Sequence, residues 1–192
     1  MNDFEKLRGE MESYDEAREK IIKESREILK ASKQAIYALH RSDLKEAQAL
    51  LKTAADVKKR LEQEMREDPT LRTGGFSGAC EEYVEALSFL RFLEKGDLLP
   101  YGDAGVQAEE YLGGLADLTG ELGRRAVILA TARDKKGVEK IVVFTNTVYG
   151  EFVKFDFRNG ELRKKYDSIK YNLQKMENVL YDLTLKGRAQ EE

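Results

Sequence analysis

The sequence predicts an all-α protein, a single-domain bundle of about six to seven antiparallel helices over residues 1–192. Three observations predict it. Apolar residues recur at intervals of three and four through nearly every segment. Only two prolines interrupt the chain. Hydrophobic residues at 41% beside charged residues at 36% fit a soluble, helix-rich protein.

In chain order, Asp15 is the expected N-cap of a long first helix, and residues 1–13 are expected to fray. The row Ile22, Ser25, Leu29, Ser32, Ile36 and Leu39 has helical spacing. His40–Asp43 reads as a turn in which His40 is a surface or capping residue and Asp43 caps the next helix. There Leu44, Ala47, Leu51, Ala54, Leu61 and Met65 mark the buried side, completing an antiparallel hairpin. Asp68-Pro69 closes it, because proline disfavours helix at the residue before it. Leu71–Gly78 (LRTGGFSG) reads as a connection in which Arg72 meets either phosphate or solvent.

Glu81–Leu93 (EEYVEALSFLRFL) is the next helix. At about 100° per residue, Glu85, Ala86, Phe89, Phe92 and Leu93 fall within roughly 80° of Glu82. Glu81, Ser88, Arg91 and Lys95 take the other side. Glu82 and Glu85 therefore share a stripe with two phenylalanines, where a charge needs compensation. An arginine, a raised pKa or a metal ion would supply it. A structural ion pair or an inter-subunit contact would do so equally.

The loop Gly96–Gly105 contains Pro100, with Asp103 as expected cap of the helix that runs to Thr131. On that helix Tyr111, Leu115, Leu118, Leu122, Ala126 and Leu129 form the apolar stripe. Asp117 and Glu121 sit beside it, four residues apart and hence neighbours. Arg124 continues their row and Arg125 is close by; each holds either a phosphate or the same acids. Gly113, Gly114, Gly120 and Gly123 lie inside the helix at roughly 0.5–1 kcal/mol each relative to alanine. Close approach of a second helix or of a ligand would explain them.

Asp134–Gly137 breaks the chain. Val138–Phe157 has strand composition in places, but Val138, Ile141, Thr145, Val148, Phe152 and Phe155 keep a helical spacing, so helix is predicted. After the Asn159-Gly160 turn, Leu162, Tyr166, Ile169, Leu173, Met176, Leu180 and Leu183 form an unbroken heptad row. Residues 187–192, with Gln190-Glu191-Glu192, are expected to fray.

Composition removes several function classes. The single histidine, His40, and the single cysteine, Cys80, cannot build a zinc site, a di-iron bundle with two Glu-x-x-His pairs, or a disulfide. Cys80 reads as a small core residue in a reducing, cytoplasmic setting. No apolar run approaches the roughly 18 residues of a membrane span, and Met1–Arg8 lacks a leader pattern. What remains is a carboxylate-only site, which suits Mg²⁺ or Mn²⁺ because hard cations take oxygen ligands. The net charge of −3 does not advertise nucleic acid, although 33 lysines and arginines can still concentrate on one face.

The segments EEYVEALSF and YLGGLADLTGELGRRAV resemble the translin family, specifically its factor X branch. A third, Val153–Gly187 (VKFDFRNGELRKKYDSIKYNLQKMENVLYDLTLKG), is similar to the C-terminal signature of both branches. The likeness is strongest from about Leu71 to Gly187; a long basic N-terminal extension and a large insert between the acidic helices are missing. The resemblance implies a Mg²⁺-dependent endoribonuclease acting on single-stranded RNA. Glu82, Glu85, Asp117 and Glu121 would be its metal-binding and catalytic carboxylates, and Arg72, Arg124 and Arg125 would meet the RNA. It also implies an oligomeric helical shell, homo-oligomeric and octamer-like, with a translin-type second subunit as a further partner. A non-catalytic nucleic-acid-binding shell and a helical interaction scaffold are the rival expectations.

Overall fold

The structure is a computed structural model that describes residues 2–188. Seven α-helices and one short 3-10 turn make it up, with no strand among the described residues. Contacts divide the chain into two compact units, Met1–Ala86 and Leu87–Glu192. The all-α class predicted from periodicity is what forms. Of residues 187–192, expected to fray, 187–188 are helical and 189–192 lie outside the described residues.

The first unit is built on α1 (Asp3–His40) and α2 (Leu44–Glu64). α1 starts twelve residues before the expected Asp15 cap. Asn2 caps it, accepting from the Phe4 N–H, while the Glu5 side chain accepts from the Asn2 N–H. Residues 3–13, expected to fray, are therefore helical. Asp43 does cap α2, accepting from the Glu46 N–H at 3.0 Å. Ion pairs Lys20–Glu64 and Arg60–Glu24, both 2.8 Å, register the two helices antiparallel, since rising numbers on one meet falling numbers on the other. Ile21, Ile28, Leu39, Leu51 and Leu61 are buried. His40 is buried too, not at the surface, because it falls on the same face as Ile36 and Leu39.

After the 3-10 turn Pro69–Leu71 comes α3 (Gly74–Lys95), which starts in the first unit and continues into the second. The LRTGGFSG stretch is thus only partly a connection. Thr73 Oγ accepts from the Phe76 N–H and the Thr73 carbonyl from the Ser77 N–H, so helix begins at the glycine pair. Cys80 is buried, as expected. Ser88, assigned to the solvated side, is buried as well; α3 is covered around most of its circumference.

The second unit adds α4 (Tyr101–Ala104), α5 (Ala108–Thr131), α6 (Lys135–Phe152) and α7 (Glu161–Arg188). Asp103 lies inside α4 and does not cap α5. Gln107 opens α5, and its N–H donates to Glu110 Oε2 at 2.9 Å. α6 ends at Phe152, five residues short of expectation, and Phe155 is exposed. The aromatic residues drive that ending: Phe152, Phe155, Phe157 and Tyr166 gather into a ring cluster with centroids 5.4–6.5 Å apart. α5, α6 and α7 pack on one another. Asp117–Lys165, Thr119–Asn172 and Gly123–Met176 rise together, so α5 and α7 run parallel with α6 reversing between them. The heptad row of α7 buries Ile169, Leu173 and Met176.

Candidate functional site

The first pair of acids belongs to the part of α3 in the first unit. Thr73 fixes where α3 begins and so fixes its phase. Glu85 lands among Val84, Ala86 and Phe89 and is only 7% exposed. Glu82, one turn earlier, keeps a 21% exposed side chain with Lys33 Nζ of α1 3.9 Å away. Arg72 lies just before α3, half-buried, its guanidinium 4.9 Å from the Phe76 ring centroid. It is thus neither a solvated loop arginine nor on the acids' helix.

The second pair belongs to α5 in the second unit. Asp117 receives a hydrogen bond from Lys165 Nζ of α7, both groups part-buried. Glu121 stands one turn on, its side chain 28% exposed, with Arg124 Nη1 at 3.8 Å. Arg124 is mostly exposed and Arg125 half-buried. Thr119, fully buried between the two acids, donates to the Ala116 carbonyl and accepts from Asn172 Nδ2. That network pins α5 to α7 and so sets where Asp117 and Glu121 stand.

Lys33 thus stands beside Glu82, Lys165 beside Asp117 and Arg124 beside Glu121. Asp117 is held in a close ion pair, while the cations at Glu82 and Glu121 stand 3.9 and 3.8 Å away. The donor chemistry suits a hard cation: each pair is carboxylate-only and one helical turn apart. Among the described residues no group of three or more His, Cys, Asp or Glu forms a metal cage. Each unit by itself carries two of the four predicted carboxylates. Lys33 and Lys165 were missed in the sequence, and no spacing rule would have found them. Lys165 is 48 residues from Asp117, inside a basic run where Arg163 and Lys164 read the same way.

The fold defines a class: an all-helical protein that carries paired carboxylates on two otherwise apolar helices. Within that class the chain belongs to the Translin family, whose model matches residues 16–187. It is similar to a translin-associated protein X homolog of Schizosaccharomyces pombe, 28% identical over 96% of this chain and 88% of that one. It is also similar to translin of Gallus gallus, 40% identical over 83 residues, a match spanning 43% of this chain and 36% of that protein. Among solved structures, that of an AfC3PO–duplex RNA complex superposes with a TM-score of 0.86 at 26% identity, covering 96% of this chain and 98% of that one. No described helix is long and apolar enough to cross a membrane.

Proposed function

We propose that this protein is a Mg²⁺-dependent endoribonuclease of single-stranded RNA, working within an oligomeric helical shell. The observation that carries this reading is Glu85. It is 7% exposed and one turn from Glu82, so two carboxylates stand together on an otherwise apolar helix, the kind of setting in which functional acids cluster. The likeness to translin-associated protein X over nearly the whole chain adds to it.

In this reading Glu82, Glu85, Asp117 and Glu121 hold Mg²⁺, with Mn²⁺ able to replace it. A bound ion of that kind supplies positive charge for in-line displacement and an acidified water. The protein's own groups do the rest. Arg124 and Arg125 lie in the row of the α5 acids and neutralise neighbouring phosphates. Arg72, stacked on Phe76, offers a preset guanidinium for another phosphate. Lys165 holds Asp117 in position and offsets its charge before the ion binds. The assembly is proposed as a homo-oligomer, octamer-like, that can accept a translin-type second subunit; a cytoplasmic setting fits the single reduced cysteine.

A second reading is kept alive by the Asp117–Lys165 ion pair and by the 40% identical segment of translin. There the shell binds single-stranded RNA or DNA without cutting, and the cations satisfy the acids permanently. Single-turnover cleavage of labelled single-stranded RNA in Mg²⁺, Mn²⁺ or EDTA separates the two, with the annealed duplex as competitor because the superposing complex holds duplex RNA. The nuclease reading expects cutting in either metal and none in EDTA. RNA retention with no cutting under any condition establishes the second reading.

A further inference from the structure

We infer that Lys165 is a built-in competitor for the divalent ion, holding the Asp117 carboxylate until an ion takes it and then moving back along α7 to Glu161, an inference that rests on the metal-binding reading above. Every group involved lies in the second unit, on α5 or in the first turns of α7.

The two members of the pair are built unequally. Asp117 is the fixed one. Its side chain is short, and α5 is pinned to α7 two residues on, where Thr119 Oγ accepts from Asn172 Nδ2 at 2.9 Å. Lys165 is the movable one, its ammonium carried on a flexible four-carbon stem and donating to Asp117 Oδ2. Both side chains are part-buried, so water screens their charges only partly. An ammonium bonded to a carboxylate oxygen stands where a cation held by that carboxylate would stand. A doubly charged ion and an ammonium on the same carboxylate repel each other strongly at low screening. Lys165 also orients Asp117, which favours a ligand, but repulsion at so short a range is the larger effect. Lys165 therefore has to leave for Asp117 to serve an ion.

Lys165 also has a place to go. Glu161 lies one turn earlier on α7, at the i,i+4 spacing with the acid on the N-terminal side, which is the favourable order for a helix pair. Lys164 donates to Glu161 at 2.6 Å and holds its carboxyl below the ordinary value, and the charge of Lys165 adds to that lowering. Glu161 is 82% exposed, so a second ammonium can join it without losing much hydration. One lysine with two carboxylates to serve is a two-position element, and a ligand that binds only one position shifts its balance. While Lys165 stays on Asp117 it offsets the repulsion between Asp117 and Glu121, four residues apart on α5. It also keeps out any cation bound less tightly than an ammonium.

The test uses the full chain and Mn²⁺ alone, with free ion read by electron paramagnetic resonance. Lys165→Met is expected to bind Mn²⁺ about tenfold more tightly than the wild type. Lys165→Arg, which keeps the cation, is expected to bind no more tightly than the wild type. In an Asp117→Asn background, Lys165→Met is expected to leave Mn²⁺ binding unaltered. A second readout needs no variant. Acetylation of Lys165 by a limiting acylating reagent, followed by peptide mass spectrometry, is expected to rise severalfold on adding Mn²⁺, with Lys175 of α7 as internal standard. A Lys165→Met chain that binds Mn²⁺ no more tightly, or a Lys165 reactivity that Mn²⁺ leaves unchanged, overturns the exchange and leaves metal binding intact. Tightening that persists without the Asp117 carboxylate overturns it as well. No Mn²⁺ held by the wild type or by Lys165→Met removes the metal-binding reading and the exchange together.

Discussion

Arg91 donates through two nitrogens to the Asp97 carboxylate across the turn after α3. That bond, together with the guanidinium charge, holds the Asp97 carboxyl below its ordinary value. A carboxylate whose folded value lies below its unfolded one adds stability above the unfolded value and loses it as pH falls through the folded one. Asp97→Asn is therefore expected to leave the acid limb of stability shallower below about pH 4, as read from urea midpoints at several pH values. Glu161, held low in the same way by Lys164, contributes to the same limb. At this scale sequence reasoning reached the apolar surroundings of Glu85, because helical phase is a local property. It missed the burial of His40, which depends on which face the antiparallel partner covers. It also missed the lysines beside Glu82 and Asp117, which arrive from other helices. If the four acids form one metal site, Glu85→Gln and Asp117→Asn should each lower single-turnover cleavage by about a hundredfold or more, roughly 3 kcal/mol of barrier. Circular dichroism confirms that each variant stays folded.

Helix boundaries were readable where a side-chain cap stands alone, as at Asp43, whereas Asp134–Gly137, read as a break, is in fact the Asp134 cap and first turn of α6. They were misread where the cap hides inside a loop-like composition. Thr73 turns a glycine-rich stretch into the first turn of α3, and losing its hydroxyl in Thr73→Ala is expected to cost about 1 kcal/mol in a denaturation series. The end of α6 was misread for a different reason. Phe155 keeps helical spacing with Phe152, but the rings of Phe155 and Phe157 stack at 5.4 Å after the helix has ended. Periodicity cannot tell that cluster from one more helical turn. Glycine at Gly137 belongs here too. Its N–H donates to Asp134 Oδ1, and a Cβ would fall 2.9 Å from Leu129 Cδ1. Gly137→Ala should therefore destabilise α6 by about 1–2 kcal/mol, despite the better helix propensity of alanine.

At the level of the whole molecule, fold class followed from composition and spacing, since both report that every segment hides one side of a helix. The parallel course of α5 and α7 did not, because it follows from the order in which α6 is laid between them. Assembly is outside what one chain's periodicity encodes. An octamer-like shell predicts a particle near eight times the 21.9 kDa chain mass in light scattering, and a monomer would contradict it. The central proposal is that Glu82, Glu85, Asp117 and Glu121 serve one divalent ion. Titration of Mn²⁺ followed by electron paramagnetic resonance tests it on wild type, Glu85→Gln, Asp117→Asn and the double variant. One shared ion predicts that either single change abolishes the same class of bound Mn²⁺ and that the double change adds nothing further. Two losses that simply add, or bound Mn²⁺ that neither change disturbs, would contradict it.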